Sequence, residues 1–339
     1  MGALSKHAAA EYLQLQGDLA EAYSIDDATR TFAVEPTHAQ ELNDQITERV
    51  DFLGRINVIG VTEIKGEKVL LGLNGPATSR TDTDLKDREP RHLLDLKNNF
   101  YELFHTETDV ALKFATIDAW AKFPEFARKY LEAVQKRIAL DRILIGWNGT
   151  HVATQTNFTN YPMLQDVNKG WLQQARELVP EQVLKSADPA VKIKIGKGGD
   201  YENLDAAVHD VKQMIDPVFR DEGDLIAIVG SDLLANDKGR LYAAQGQTPT
   251  EKERIEDAQV IATYGGLPTF VVPFFPSKGI LVTSWANLSI YFQDTSWRRH
   301  LLENPKRSRV EDYNGRNEGY VIEQLGKIAY LESDSVETV

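Results

Sequence analysis

Residues 74–92 read NGPATSRTDTDLKDREPRH, 19 positions in which Leu85 is the only large apolar side chain. A tract so poor in apolar surface cannot bury itself in a core. Long stretches without a hydrophobic pattern are uncommon inside compact domains unless they serve a function or act as linkers. On one side lie the β-rich runs INVIGVTEI and EKVLLGL, between Ile56 and Leu73, and on the other the strand-like FYELFHTETDVALKF. Any fold for this chain therefore lets a polar excursion leave a β-rich body, either disordered or ordered by a partner. Lys65 and Gly66, between the two upstream runs, predict a hairpin turn at that point.

Helical patterns surround this excursion. Tyr12, Leu15, Leu19 and Tyr23 fall at spacings of three and four, one face of an amphipathic helix that Gly17 weakens. That face suits a surface helix of the core or a helix for a partner. After a break from Ser24 to Pro36, Thr37 with Gln40 reads as a capping box ahead of Leu42, Ile46, Val50 and Leu53, which predicts a second helix from Pro36 to Gly54. The longest pattern starts with Pro124 at a first helical position and runs to Gly146, about five to six turns and about 30 Å. Phe126, Tyr130, Val134, Ile138 and Ile145 are its expected core face. Arg128, Lys129, Lys136, Arg137 and Arg142, beside Glu125, Glu132 and Asp141, read as a mixed solvated face. Beyond Trp171 the chain alternates: LDAAVHDVKQMI is a helix ended by Pro217, DLIAIVGS a buried strand, and LPTFVVPFF a strand interrupted by Pro273 and so at an edge. Strands return in ILVTSWANLSIYFQD and EGYVIEQLGKIAYLE, separated by the basic WRRHLLENPKRSR, and the last of them are expected to cover the long helix.

Composition removes whole classes of chemistry. With no cysteine, the 339 residues hold no disulfide, thiolate zinc site, iron–sulfur cluster or cysteine nucleophile. No run reaches the roughly 18 apolar residues of a membrane helix, and the first residues lack a secretory apolar core, so synthesis and folding in the cytosol are expected. The 38 basic against 51 acidic residues, a formal charge of −13, argue against a dedicated nucleic-acid binder. The nearest string to a phosphate loop, IGKGGDY, has Tyr201 where a dinucleotide fingerprint needs its final glycine, and it reads as a tight turn. The seven histidines form neither His-x-His nor His-Glu-x-x-His, no Gly-x-Ser-x-Gly elbow is present, and the pairs Asp82/Asp84 and Asp26/Asp27 lie in polar segments. Neither a catalytic residue nor a cofactor or metal ligand is assigned, and no enzyme activity is expected.

Seven long blocks carry a resemblance: TFAVEPT (31–37), DFLGRINVIGVTEIKGEKVLLGLNG (51–75), YPMLQDVNKGWLQ (161–173), IGKGGDYENLDA (195–206), GGLPTFVVPFFP (265–276), NLSIYFQDTSWRR (287–299) and ENPKRSRVEDYNGRNEGYVIE (303–323). They resemble the major capsid proteins of peduoviruses, the P2-like contractile-tailed phages, across almost the entire chain. The resemblance implies an α+β chain with the Johnson fold of tailed-phage and herpesvirus shells. Its parts map as a removable N-terminal segment (1–32), an N-arm (33–60), an extended loop (61–105), a peripheral domain with a spine helix (106–164 and 285–339) and an axial domain (165–284).

The same resemblance implies self-assembly as hexamers and pentamers into an icosahedral head around double-stranded DNA. It places the protein in the virion after assembly in the bacterial cytoplasm. The implied partners are other copies of the chain, an internal scaffolding protein or protease, the portal protein and the packaged genome without sequence-specific contacts; no membrane is involved. It further implies trimming of the N-terminus, which we carry onto Thr31, Phe32 and Ala33. Exposed backbone between two helices is also where proteases act most readily. Arg80, Lys86, Arg88 and Arg91, in the polar tract, are expected to meet acidic groups of a neighbouring subunit. Two other readings compete with this one: a cytosolic α/β enzyme holding a small ligand at IGKGGDY, and a non-viral compartment shell of the same fold.

Overall fold

A computed structural model describes the chain apart from residues 1–5, 24, 74–77, 79, 82–84, 86, 88–93, 121–125, 189 and 246–262. Helix α1 (Lys6–Ala22) leads to a two-residue strand β1 (Phe32–Ala33), helix α2 (Pro36–Glu48) and strand β2 (Asn57–Val61). Strands β3 (Lys65–Leu73) and β4 (Leu94–Glu102) form a hairpin around the polar tract, and β5 (Phe104–Glu107), β6 (Val110–Lys113) and α3 (Phe114–Trp120) return the chain to the body. Next come α4 (Phe126–Asn148), α5 (Trp171–Leu178), β7 (Val183–Leu184), β8 (Ile193–Ile195), α6 (Leu204–Gln213), β9 (Ile226–Val229) and α7 (Ser231–Gln245). Eight strands complete the order: β10 (Thr263–Tyr264), β11 (Leu267–Phe270), β12 (Ile280–Thr283), β13 (Leu288–Gln293), β14 (Arg298–Asn304), β15 (Arg309–Ile322), β16 (Ala329–Leu331) and β17 (Val336–Thr338). The class is α+β.

Two sheets organise these elements. In the seven-stranded sheet, the path β1-β14-β15-β13-β2 is joined by β5 and β6, both paired to β15. The six-stranded sheet runs β10-β11-β9-β12-β16-β7. Its central strand β9 is buried on both faces, and alternation divides it: Ile226 and Ile228 enter a core shared with α1, α2, α4 and α5, while Ala227 and Val229 enter a second core under α6. Strand β12 divides the same way, with Leu281 on one side and Ile280 and Val282 on the other. Phe126, Tyr130, Val134, Ile138 and Ile145 of α4 are all buried, as the periodicity requires.

Several expectations need correction. Lys65 and Gly66 do not turn; they open β3, which pairs with β4 across the polar tract in a register from Lys65↔Glu102 to Leu73↔Leu94. Gly66 is small because the ring of Tyr101 lies against it, 2.4 Å from where a Cβ would stand. Strand β2 instead runs parallel to β13, from Ser289↔Asn57 to Gln293↔Val61. Helix α2 stops at Glu48, with Leu53 in a separate 3-10 turn, and this break lets Phe52 pack against Trp147, Trp171 and Trp285 with ring centroids 5.5, 6.2 and 5.9 Å away. Thr37 lies inside the helix, Pro36 takes the first position and the cap residue Glu35 makes no side-chain bond, so the capping box does not form.

Helix α4 continues past Gly146 to Asn148, with that glycine pressed on the ring of Trp171; Pro124 lies outside the described residues. The chain end also departs from the expected division at 285–339. Strand β16 pairs with β12 and β7, and β17 pairs with β8, so these strands belong with the sheet system of the middle segment.

Candidate functional site: where the arms join the sheet

Strand β15 is the longest strand among the described residues, and its even-numbered residues from Asp312 to Ile322 face inward. Four of those positions are polar: Asp312, Asn314, Arg316 and Glu318 are all buried. A charge taken out of water requires a partner there, and two clusters supply it. In the first, Arg142 of α4, 0% exposed, donates from Nε to Glu318 Oε1 at 2.8 Å and from Nη2 to the same oxygen and to Asn43 Oδ1 of α2 at 2.6 Å. Arg316 Nε donates to Glu318 Oε1 at 2.5 Å. Burial by itself would raise the Glu318 carboxyl, but the Arg142 and Arg316 guanidinium groups outweigh it and hold the group down to about 2. The solvated face expected for Arg142 is therefore corrected. The alternation Asp-x-Asn-x-Arg-x-Glu at 312–318 was the sequence signal for this inner polar face.

The second cluster reaches the N-terminal segment. Arg299 of β14 donates from Nε and Nη2 to the two oxygens of Asp312, at 2.9 and 2.6 Å, and from Nη1 to the hydroxyl oxygen of Tyr23 at 3.0 Å. Tyr130 of α4 donates to Asp312 Oδ2 at 2.9 Å. Burial and the facing Asp312 carboxylate push the Tyr130 hydroxyl far above its usual range, so it remains a donor. Tyr23 directly follows α1, and it is buried in the main core together with Tyr12, Leu15 and Leu19 of that helix. Of the two readings of this face, a surface helix of the core or a helix for a partner, the structure has the first, docked through both burial and charge.

The segment expected to be processed also sits on this sheet. Phe32 and Ala33 pair antiparallel with Arg299 and Arg298, at the sheet edge. Thr31 is exposed, and its Oγ1 lies 2.9 Å from His300 Nδ1. Ahead of it, the carbonyl of buried Ala28 accepts from Leu301 N at 3.2 Å. Cavities of about 110 and 320 Å³ flank Arg299 and Asn314, one roofed by Leu19 and Tyr23, the other bordered by Thr31 and His300.

Of the residues expected to contact neighbours, Arg80 is exposed, whereas Lys86, Arg88 and Arg91 lie outside the described residues. IGKGGDY forms a turn, with Gly196 at φ 149° and Gly198 at φ 80° and Gly199 N donating to Gly196 O at 3.0 Å. The chain end fills the space beside it: a Cβ on Gly196 would stand 1.9 Å from the carbonyl of Val339. Among the described residues, no group of three or more His, Asp or Glu converges as a metal site would require.

The family model described as phage major capsid protein, P2 family, matches residues 11–333. The capsid protein of Escherichia phage P2 is 38% identical over 330 residues, covering 94% of this chain and 92% of that protein. The major capsid protein of Serratia phage KSP20 is 34% identical over 307 residues, covering 89% and 88%. Among solved structures, a chain of the satellite phage P4 procapsid, which includes the size determination (Sid) protein, aligns with a TM-score of 0.70 at 36% identity, covering 88% of this chain and 99% of that one.

Proposed function

The chain belongs to the P2 family of phage major capsid proteins, and from that premise we propose that it builds the wall of an icosahedral head, as hexamers and pentamers around double-stranded DNA. The observation that carries this reading is the match over residues 11–333 together with the likeness to a procapsid subunit along 99% of that subunit's chain. A shell subunit meets neighbours in slightly different geometries, so its contacts are extended and individually modest. The β3–β4 hairpin suits that role, and we assign Arg80, Lys86, Arg88 and Arg91 to contacts with acidic groups of an adjoining copy. Its partners in this reading are other copies of the chain, a scaffold or protease, the portal and the genome; it has no catalytic task. A formal charge of −13 lets the wall face DNA without adhering to it, because like charges repel.

The N-terminal segment, cut at Thr31–Ala33, belongs to the assembly stage. The exposed residues of the linker support that placement, while the docked face of α1 means that the segment leaves only after Tyr12, Leu15, Leu19 and Tyr23 are uncovered. Electron microscopy of the purified chain, alone and coexpressed with its phage partners, tests the shell reading: closed shells or hexamers are expected, and a discrete small oligomer in both preparations would overturn it. Intact-mass analysis of mature particles tests the trimming: a chain beginning at or near Ala33 is expected, and full-length chain throughout would refute it.

A further inference from the structure

We propose that the loop between α4 and α5, with Phe158 at its tip and the turn around Phe274 at its base, is a preformed surface that contacts a second copy of this chain. Residues 149–165 contain no Asp, Glu, Lys or Arg, although these make up 26% of the chain and roughly four would be expected in 17 positions. Positions 154–160 are nonetheless all exposed, and Phe158 is 69% exposed. A charge-free surface carrying an aromatic side chain is what the buried centre of a protein–protein contact looks like.

The loop is held in shape from beneath. Buried Asp166 accepts from Asn157 N through Oδ2 at 2.6 Å and from Ala153 N through its carbonyl at 2.9 Å. Asn157 Oδ1 accepts from Thr159 N and Asn160 N at 3.0 and 3.1 Å, which fixes the backbone on either side of Phe158. Buried Asn168 ties the foot of the loop to the sheet by donating from Nδ2 to the carbonyl of Glu318 at 2.9 Å. These bonds hold the tip out in water although its side chains gain little burial from it. Such ordering opposes chain entropy and is favoured when it prepares a contact.

Backbone strain gathers at the same place. Among the described residues, three that are not glycine have φ in the left-handed region: Leu164 at 56°, Phe274 at 61° and Ser308 at 50°. Leu164 closes this loop, and Phe274, half-exposed, lies against its base, its carbonyl accepting from Asn148 Nδ2 at 3.1 Å. Strain at an exposed Phe is costly, and it persists where the surroundings enforce it for a purpose. The described stretch 263–277 that carries Phe274 is charge-free as well, and it exposes Val271.

The occupant follows from charge. Nucleic acid would need Lys or Arg, which the loop lacks. A lipid surface would need continuous apolar cover, which Thr154, Gln155, Thr156, Asn157, Thr159 and Asn160 deny. Two copies of a chain carrying −13 repel one another, and a neutral face is where their approach costs least. Asn, Thr and Gln around one aromatic anchor also suit a contact that repeats in slightly different geometries.

This inference rests on the shell reading, and the test separates the two. Phe158→Asp and the unaltered chain are expressed with the phage assembly partners, and shells are counted by electron microscopy alongside the melting temperature of the unassembled subunit. The expected result is an unchanged melting temperature with shell yield down by at least about tenfold. Shells from both chains at equal yield would overturn this inference alone, whereas no shells from either would remove the shell reading and this inference with it. Should Phe158→Asp fail to fold, Phe158→Cys gives a second readout, because the natural chain has no cysteine. Maleimide should label it at least about tenfold more slowly in shells than in free subunits, and equal labelling would contradict the contact.

Discussion

Strands β9 and β15 are both buried at the middle of their sheets, yet they are built from opposite materials. Strand β9 is Ile226-Ala-Ile-Val229, apolar on both faces, and any neighbour with apolar surface satisfies it. Strand β15 buries Asp312, Asn314, Arg316 and Glu318, and its two carboxylates are held by Tyr130 and Arg142 on α4 and Arg299 on β14, the two arginines bonding in turn to Asn43 on α2 and Tyr23 beside α1. An apolar strand supplies stability from whatever packs on it. A polar one works only when distant parts of the chain have arrived in one arrangement, so β15 makes the docking of α1 and α4 conditional on each other.

The contrast is broken most severely at Glu318. Glu318→Gln keeps the shape of the side chain but leaves two buried guanidinium groups without a counter-charge, and should cost about 3–5 kcal/mol in denaturant unfolding. The same group can be probed by acid. Because the folded carboxyl sits near 2 against an ordinary value of 4.5, its contribution is complete above about 4.5 and is lost as pH falls towards 2. Thermal melts should therefore show a steeper loss over that window in the natural chain than in Glu318→Gln; equal slopes would mean that the cluster does not drive acid unfolding.

Tyr23→Phe is expected to cost about 1–3 kcal/mol, since Arg299 Nη1 loses its acceptor in a buried place. Limited proteolysis between Ser24 and Thr31 should accelerate with it. An unaltered cutting rate would mean that α1 is held by burial alone. The smallest effect belongs to the apolar strand: Ile228→Val should cost about 0.5–1.5 kcal/mol, although Ile228 is as buried as Glu318. If these two conservative changes proved equally costly, the distinction between the strands would fail.

That distinction also marks how far the sequence could be read. Periodicity was enough for the buried face of α4, for β9 and for the helix over 204–213, because apolar spacing reports burial whatever lies opposite. It failed at Arg142, since a charged residue on a helix reads as solvated until a counter-charge 176 residues away is known to face it. Lys65-Gly66 misled for a related reason: the partner of β3 lies beyond the polar tract, and the glycine answers to the Tyr101 ring across the strand. The docking of α1 was hidden because Tyr23, Arg299 and Asp312 meet only in three dimensions. Phe158 carried a faint signal, the missing charges of 149–165, visible only against the composition of the whole chain.

The most direct test of the account is a map of the assembled particle at side-chain detail. Closed shells of hexamers and pentamers are predicted, with the β3–β4 hairpin and the Phe158 loop against neighbouring copies and the Arg142–Glu318–Arg316 cluster unchanged inside each subunit. A particle in which hairpin and loop both face solvent, or in which copies are joined by opening the β15 cluster, would contradict it.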